Sequence, residues 1–258
     1  MKFVDTHTHL FLNQFENDRE IVVNQAINAG VTKLILPNVD QKSLNDMQKL
    51  CEKFPENCYP LIGLHPSSVK NNFEKILEKF ETELETKKYY GIGETGIDLY
   101  WDKTSLDIQK VSFIQHINWS KKYKLPLIIH ARESFDQIFE IIEKENSSEL
   151  FGIFHCFTGT KEQAERIISF GGFKLGIGGV VTYKTSNLDE ILKFIDIQHI
   201  VLETDSPYLP PVPYRGKRNE SSYIINIAQK VAEIYNVELP EIARITTENA
   251  NKIFNLKI

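Results

Sequence analysis

The sequence is poor in the residues that mark disulfide-stabilised or zinc-finger proteins. Its 258 residues include only 3 cysteines. These cysteines, Cys51, Cys58 and Cys156, match no zinc-finger spacing and offer no paired framework. An odd, sparse set of cysteines is typical of a reducing compartment. We therefore expect each to act as a small, largely buried apolar side chain.

Long apolar segments are also missing. No stretch approaches the ~18 uninterrupted apolar residues of a membrane span. The first ten residues, MKFVDTHTHL, carry two histidines and an aspartate where a signal peptide needs an apolar run. These observations predict a soluble, cytoplasmic protein that does not associate with a membrane.

The chain has no excess of positive charge, since 30 lysines and arginines face 35 aspartates and glutamates, for a net charge of −5. This balance argues against a protein that coats nucleic acid through bulk electrostatics. It leaves open an enzyme that holds phosphate with local basic groups and bound cations. No low-complexity tract or Gly/Ser linker marks a boundary, so residues 1–258 are expected to form a single domain.

What the sequence does contain is a regular alternation of short apolar runs and longer segments of helical period. The predicted strands are Lys2–His7, Lys33–Pro37, Tyr59–Leu64, Tyr89–Gly93, Pro126–His130, Gly152–Cys156, Phe173–Ile177 and His199–Glu203. The predicted helices are Arg19–Ala29, Leu44–Phe54, Phe73–Glu85, Leu106–Tyr123, Phe135–Glu145, Glu162–Phe170, Leu188–Ile195, Glu220–Tyr235 and Pro240–Phe254.

Eight strands, each followed by a helix, predict an α/β fold of the (β/α)8 TIM barrel type. The near-continuous apolar strands suit a parallel sheet that is covered on both faces. A doubly wound open sheet is the main alternative, but it would usually have fewer strands and a glycine-rich loop after the first. That position here reads Asp5-Thr6-His7-Thr8-His9.

Potential metal ligands collect at the carboxyl ends of the predicted strands. In a barrel these ends form one rim, so side chains that are far apart in sequence converge there. The candidate metal ligands are His7, His9, Glu94, His130, His155 and Asp205.

The residue types explain the chemistry. His7 and His9 are two residues apart on a strand, so they point to the same face and can bind one cation together. Imidazole and carboxylate suit zinc, manganese, nickel or iron, and carboxylate with water also admits magnesium. Six ligands exceed one tetrahedral site. With one bridging carboxylate they predict two divalent metal cations, about 3.5–4 Å apart.

Each residue alone has a structural alternative. A single His-x-His pair could lie at a surface turn, and His130 or His155 could be a core histidine. Glu94 could cap a loop, and Asp205 could begin a turn before Pro207. The coincidence of all six at one end of the strands favours the metal site.

At these residues the chain resembles the TatD-type DNase family of the amidohydrolase superfamily. The matching motifs run in the family's order from residue 4 to residue 250. They are Val4-Asp5-Thr6-His7-Thr8-His9-Leu10, Gly63-Leu64-His65-Pro66, Gly91-Ile92-Gly93-Glu94-Thr95-Gly96-Ile97-Asp98, His130-Ala131-Arg132, Phe154-His155-Cys156-Phe157-Thr158-Gly159, Leu202-Glu203-Thr204-Asp205-Ser206-Pro207-Tyr208-Leu209, Arg215-Gly216-Lys217-Arg218-Asn219-Glu220 and Glu248-Asn249-Ala250.

The resemblance implies how the ligands are shared. One cation would be held by His7, His9, Glu94 and Asp205. Glu94 would bridge to a second cation, which is held also by His130 and His155. Glu94 stands where many amidohydrolases carry a carbamylated lysine, so no such modification is needed here.

The same residues suggest a mechanism. Divalent cations lower the pKa of a coordinated water from ~15.7 toward 7, and Asp205 is the candidate general base. Glu94 and Asp205 are therefore the expected catalytic carboxylates. Glu203 is expected to orient a histidine ligand, with a strand-end surface charge as the alternative.

Several residues near the rim are candidate substrate contacts. His65 and Arg132 could hold a phosphate oxygen, although Arg132 could equally form a structural salt bridge. Arg218 belongs to a basic run in the loop after the eighth strand, where barrels commonly bind phosphate; a solvated basic loop is the alternative. Trp101 could stack on a base or pack against the protein.

The leading functional prediction is a metal-dependent deoxyribonuclease that trims single-stranded DNA from its ends. A second hypothesis is that the same metal site hydrolyses an ester or amide bond instead of a phosphodiester. The protein would then be a deacylase or amidase, for instance on aminoacyl-tRNA. A third is a non-catalytic metal-binding protein. The expected partner is a nucleic acid substrate, the expected cofactors are two cations such as Mg, Mn or Zn, and no obligate protein partner is indicated.

Overall fold

Within residues 1–256, eight parallel strands follow one another around a barrel, and helices cover its outside. The computed structural model describes residues 1–256. The strands are β1 (Phe3–Asp5), β2 (Val31–Pro37), β3 (Cys58–Leu61), β4 (Ile92–Asp98), β5 (Leu127–Arg132), β6 (Gly152–Phe154), β7 (Phe173–Ile177) and β8 (Ile200–Leu202).

The barrel is closed by two short contacts between ladders of parallel strands. Strands β1 to β3 form one ladder and β4 to β8 form the other. Parallel bridges join Ile62 to Ile92 and Thr8 to Ser206, and these residues lie at the two seams between the ladders. The predicted (β/α)8 barrel is therefore confirmed.

The helices lie close to their predicted positions. The helices are α1 (Arg19–Asn28), α2 (Leu44–Lys53), α3 (Phe73–Thr86), α4 (Leu106–Tyr123), α5 (Phe135–Glu145), α6 (Lys161–Ser169), α7 (Leu188–Leu192), α8 (Ile224–Tyr235) and α9 (Leu239–Phe254).

Among the described residues no helix combines the length and apolar character that crossing a membrane requires.

Two apolar layers stabilise this arrangement. The larger packs the helices onto the outside of the barrel. The smaller fills the lumen with side chains from six strands and is closed by residues of α9 and the segment after it. The lumen residues from the strands are Val4, Ile35, Tyr59, Leu61, Ile128, Ile153 and Val201, and those that close it are Ala250, Ile253, Phe254 and Leu256. A packed lumen leaves only the rims free for binding.

The fourth strand differs most from its prediction. It was expected at Tyr89–Gly93 but runs from Ile92 to Asp98. All seven of its residues are buried although two are glycines and two are carboxylates, a composition that strand propensities disfavour. Gly96 is required by close packing, because a Cβ there would collide with the carbonyl oxygen of His130 on β5. Glu94 consequently lies within the strand rather than after it.

One buried histidine generates a prediction about stability. His116 of α4 accepts a hydrogen bond from the Leu64 N–H at 3.0 Å and donates one to the Ser112 carbonyl at 2.7 Å. Burial lowers the pKa of His116 from 6.5 to about 4. Between these values the unfolded chain takes up a proton that the folded chain refuses, so the free energy of unfolding falls as the pH drops from 6.5 toward 4.

We expect His116→Gln to remove this pH dependence. Between pH 6.5 and pH 4 its free energy of unfolding should fall by about 3 kcal/mol less than that of the wild type. Urea unfolding at pH 7 and pH 4 measures it, and His199→Gln serves as the control histidine. A His116→Gln protein whose stability changes with pH as steeply as the wild type would contradict the assignment.

Candidate metal centre

The six predicted ligands converge at the carboxyl end of the barrel. The ring of His7 is buried and stacks on the ring of His155, with centroids 3.8 Å apart. The other five line one cavity of about 610 Å³; they are His9, Glu94, His130, His155 and Asp205.

A first group of ligand atoms surrounds Oε2 of Glu94. This oxygen lies 3.1 Å from Nε2 of His7 and 3.4 Å from Nε2 of His9. Oδ1 of Asp205 lies 3.8 Å and 3.5 Å from the same two nitrogens. Ligands bound at roughly 2.0–2.2 Å to one tetrahedral cation lie about 3.4 Å apart. His7, His9 and Glu94 therefore have the spacing of a shared metal site, and Asp205 lies beside the two histidines.

A second group surrounds the other oxygen of the same carboxylate. Oε1 of Glu94 lies 2.9 Å from Nδ1 of His130, 2.9 Å from Nε2 of His155 and 3.3 Å from Nε2 of His65. The facing nitrogens of His130 and His155 are 3.3 Å apart. Glu94 thus stands between two sets of imidazoles and presents one oxygen to each.

Electrostatics keep this carboxylate charged. Burial by itself would raise the pKa of Glu94, but the rings of His155, His65 and His7 hold it well below its usual range. Burial would lower the pKa of His155, but Glu94 and Glu203 raise it well above the usual value. His155 therefore holds its proton tightly in the metal-free site, and a binding cation would have to displace that proton.

Outer partners fix which nitrogen of each ring faces Glu94. Nδ1 of His9 lies 3.1 Å from the Pro37 carbonyl, to which it donates its proton, so Nε2 is left as a ligand atom. Nε2 of His130 lies 2.9 Å from Oδ2 of Asp98, which leaves Nδ1 facing Glu94. Hydrogen bonds of this kind set the tautomer of metal-binding histidines.

Glu203 occupies the position expected of an orienting carboxylate. It is fully buried, which contradicts a surface charge. Its Oε1 lies 3.4 Å from Nδ1 of His155 and accepts the N–H of Cys156 at 2.6 Å. Gly176 on β7 leaves the room it needs, because a Cβ there would collide with Oε2 of Glu203.

The predicted substrate contacts divide into two cases. His65 and Arg132 both line the cavity. Arg218 lies outside its lining and binds Asp18 through two hydrogen bonds of 2.8 Å and 2.7 Å, and Glu220 at 3.0 Å. Arg218 therefore stands apart from the cavity and ties the loop after β8 to the loop after β1, and its contact with phosphate stays a prediction.

Two carboxylates with evident roles were not singled out from the sequence. Asp98 binds His130, and the alternation of side chains along β4 places it on the same face as Glu94. Asp5 accepts hydrogen bonds from the N–H groups of His7 and Thr204, at 3.3 Å and 2.9 Å. It therefore joins the chain segments that carry His7 and Asp205. Correct bounds for β4 would have revealed Asp98, whereas nothing in the sequence pattern marked Asp5.

Comparison with known proteins identifies the family to which the chain belongs. The sequence model of the family described as TatD related DNase matches residues 4–255. The chain belongs to this TatD family. A relative from Bacillus subtilis (strain 168), named as the uncharacterized metal-dependent hydrolase YabD, is 36% identical over 253 residues, which cover 98% of each protein.

Two solved structures share the fold. YjjV, a TatD homolog from Escherichia coli K12, has a TM-score of 0.93 and 28% identity, covering 99% of this chain and 98% of that one. The phosphotriesterase homology protein of Escherichia coli, solved with phosphate in its active site, has a TM-score of 0.73 and covers 98% of both chains. Because this second structure is only 12% identical in sequence, its similarity supports the fold alone. The chain is therefore a metal-dependent hydrolase of the TatD family, with several His/Glu groups able to bind metal.

The contact between His130 and Asp98 leads to a prediction for this TatD-family site. Asp98→Asn would present an amide N–H₂ or a neutral oxygen to the Nε2–H of His130 and weaken the hold on the ring. We expect retention of a divalent cation to fall about 10- to 100-fold. Metal content after dialysis against graded chelator measures this. Glu133→Gln, which changes an exposed carboxylate, is the control, and equal metal retention in both variants would contradict the role of Asp98.

Proposed function

We propose that this chain is a two-metal deoxyribonuclease that hydrolyses phosphodiester bonds and removes nucleotides from the ends of single-stranded DNA. The observation that carries the proposal is the Glu94 carboxylate, whose two oxygens face two separate sets of imidazoles. Hydrolases of this class hold two ions about 3.5–4 Å apart, commonly with a shared carboxylate.

The ligands fall into two sets that fit two cations. The first comprises His7, His9, Glu94 and Asp205, and the second comprises Glu94, His130 and His155. Imidazole nitrogens with carboxylate oxygens suit zinc, manganese or iron, and magnesium where water completes the shell. When bound, the cations supply Lewis acidity toward phosphate oxygens and lower the pKa of the attacking water.

Asp205 is the proposed general base. Burial would raise the pKa of Asp205, but His9, His155 and His7 hold it below the usual value. It is therefore charged at neutral pH and ready to accept a proton. Its side chain lines the cavity, and its backbone N–H is anchored by the His7 carbonyl at 2.9 Å.

His65 is proposed to donate a hydrogen bond to a phosphate oxygen. Its Nδ1 accepts the Ser67 N–H at 3.1 Å, so the neutral ring carries its proton on Nε2. Burial lowers the pKa of His65 and favours this neutral form. This Nε2–H faces Oε1 of Glu94 at 3.3 Å, and a phosphate oxygen bound beside the second ligand set would compete for it. Arg132 adds a charged, forked donor on the same lining.

DNA is the proposed substrate because the family is described as TatD related DNase. The same groups could attack a carbonyl carbon, as in the hydrolysis of an aminoacyl ester. Direct assay with both kinds of substrate distinguishes the two bonds.

Asp205→Asn tests the proposed base. Asparagine tolerates the positive φ of 56° at this position, so the backbone should be kept. We expect turnover to fall at least about 100-fold, with the fold unchanged by circular dichroism and at least one cation retained. Asp136→Asn, on the exposed side of α5, should leave turnover unchanged. Near-normal activity of Asp205→Asn would remove it from this role.

A substrate comparison tests the reaction class. The protein is stripped with chelator, reloaded with Mg²⁺, Mn²⁺ or Zn²⁺ in turn, and given end-labelled single-stranded DNA, duplex DNA, RNA and an aminoacyl ester. We expect no hydrolysis without metal, and with metal a ladder that shortens single-stranded DNA from one end. Ester cleavage without any phosphodiester cleavage would overturn the proposal in favour of a deacylase.

A further inference from the structure

Two neighbouring aromatic side chains are exposed in one loop beside the metal centre. They lie in the loop of residues 99–105, between β4 and α4. Tyr100 is 51% exposed and Trp101 is 71% exposed. Trp101 lines the same cavity as the predicted metal ligands and is the most exposed aromatic side chain among the described residues. The alternative that Trp101 packs against the protein is thus contradicted by its exposure.

This aromatic pair is held in place rather than loosely attached. Oδ1 of Asp98 accepts the N–H groups of Tyr100 and Trp101 at 3.0 Å and 3.2 Å. The two rings meet edge to face with centroids 4.9 Å apart. The guanidinium of Arg132 lies over the Tyr100 ring at 3.9 Å from its centroid and 5.5 Å from that of Trp101.

The link through Asp98 also sets the distance to the reacting centre. Oδ2 of the same carboxylate binds Nε2 of His130, one of the proposed metal ligands. The backbone that carries Trp101 is therefore tied to the place where the phosphate would be cleaved. A pre-organised aromatic surface next to the Arg132 guanidinium and the metal site has the features of a nucleotide subsite.

We propose that Trp101 stacks on the base next to the scissile phosphate, while Arg132, braced on Tyr100, contacts the adjoining backbone. This inference rests on the proposed nuclease function. Every base offers a flat face, so the contact tolerates all sequences. In a duplex both faces of an internal base are already covered by its neighbours. Stacking on Trp101 thus gives the enzyme its selectivity for unpaired strands.

A kinetic experiment tests the stacking contact in the metal-loaded enzyme. The substrates are a labelled oligothymidylate and the same strand with one abasic residue placed in turn at each position near the cleaved end. In the wild type one abasic position should lower kcat/KM by about 5- to 150-fold. Trp101→Ala should lose a similar factor on the intact strand, mainly through KM, and should lose nothing more on that abasic strand.

Two variants serve as controls. Trp101→Phe keeps a flat ring and should retain most of the activity. Phe194→Ala removes an aromatic side chain of similar exposure, 65%, that lies outside the cavity lining, and should behave as wild type. Unchanged kcat/KM in Trp101→Ala on the intact strand would overturn the proposal. So would equal further losses on every abasic strand, because these indicate a general effect of the loop.

Fluorescence separates this proposal from the proposed function. The chain has 2 tryptophans, and Trp119 is only 1% exposed, so quenching by iodide reports on Trp101. In the Mg²⁺-loaded Asp205→Asn variant, oligothymidylate should quench this emission and shield it from iodide. If oligothymidylate shields Trp101 but the wild type cleaves no strand, stacking is supported and the nuclease function fails. If the wild type cleaves DNA but saturating oligothymidylate leaves Trp101 open to iodide, the stacking proposal alone is overturned.

Discussion

The structure of the site depends on one buried carboxylate, that of Glu94. A lone charged carboxylate inside the barrel would be strongly unfavourable. Its two oxygens are instead surrounded by imidazole nitrogens at 2.9–3.4 Å, from the rings of His7, His9, His65, His130 and His155. The charge of the acid raises the basicity of several of these rings, and the rings in turn keep the acid ionised. Each member is stable in this place because the others are present.

The barrel delivers these groups through the alternation of its strands. Side chains two residues apart on a strand share a face, so an apolar lumen residue is followed toward the rim by a polar one. Such pairs lie at the carboxyl ends of three strands: Ile128 with His130 on β5, Ile153 on β6 with His155 just after it, and Val201 on β8 with Glu203 just after it. The apolar member of each pair packs the lumen, and the polar member extends the same face into the site. The same strand faces therefore pack the lumen and supply polar side chains to the site.

Sequence patterns predicted the barrel and the convergence of six ligands, because apolar runs followed by polar residues mark strand ends directly. They failed at β4, where Glu94 and Asp98 point into the site and two glycines allow close strand contact; no apolar run signals such a strand. They also did not reveal that Asp18 pairs with Arg218, since a basic run in sequence does not show which carboxylates lie opposite it in space. Partners that are brought together only by folding, as in the contact of Asp5 with Thr204, have no local signal.

Asp98 shows how such a partner can join two parts of a site. One of its oxygens orients His130, and the other holds the amides of the loop that presents Tyr100 and Trp101. Loops are ordinarily the most mobile parts of a barrel, and a shift of about 1 Å in a substrate-positioning group is enough to impair catalysis. Because one carboxylate holds both the ligand and the loop, a movement of the aromatic pair would disturb the histidine as well. The surface proposed to select the substrate is therefore anchored to the centre proposed to cleave it.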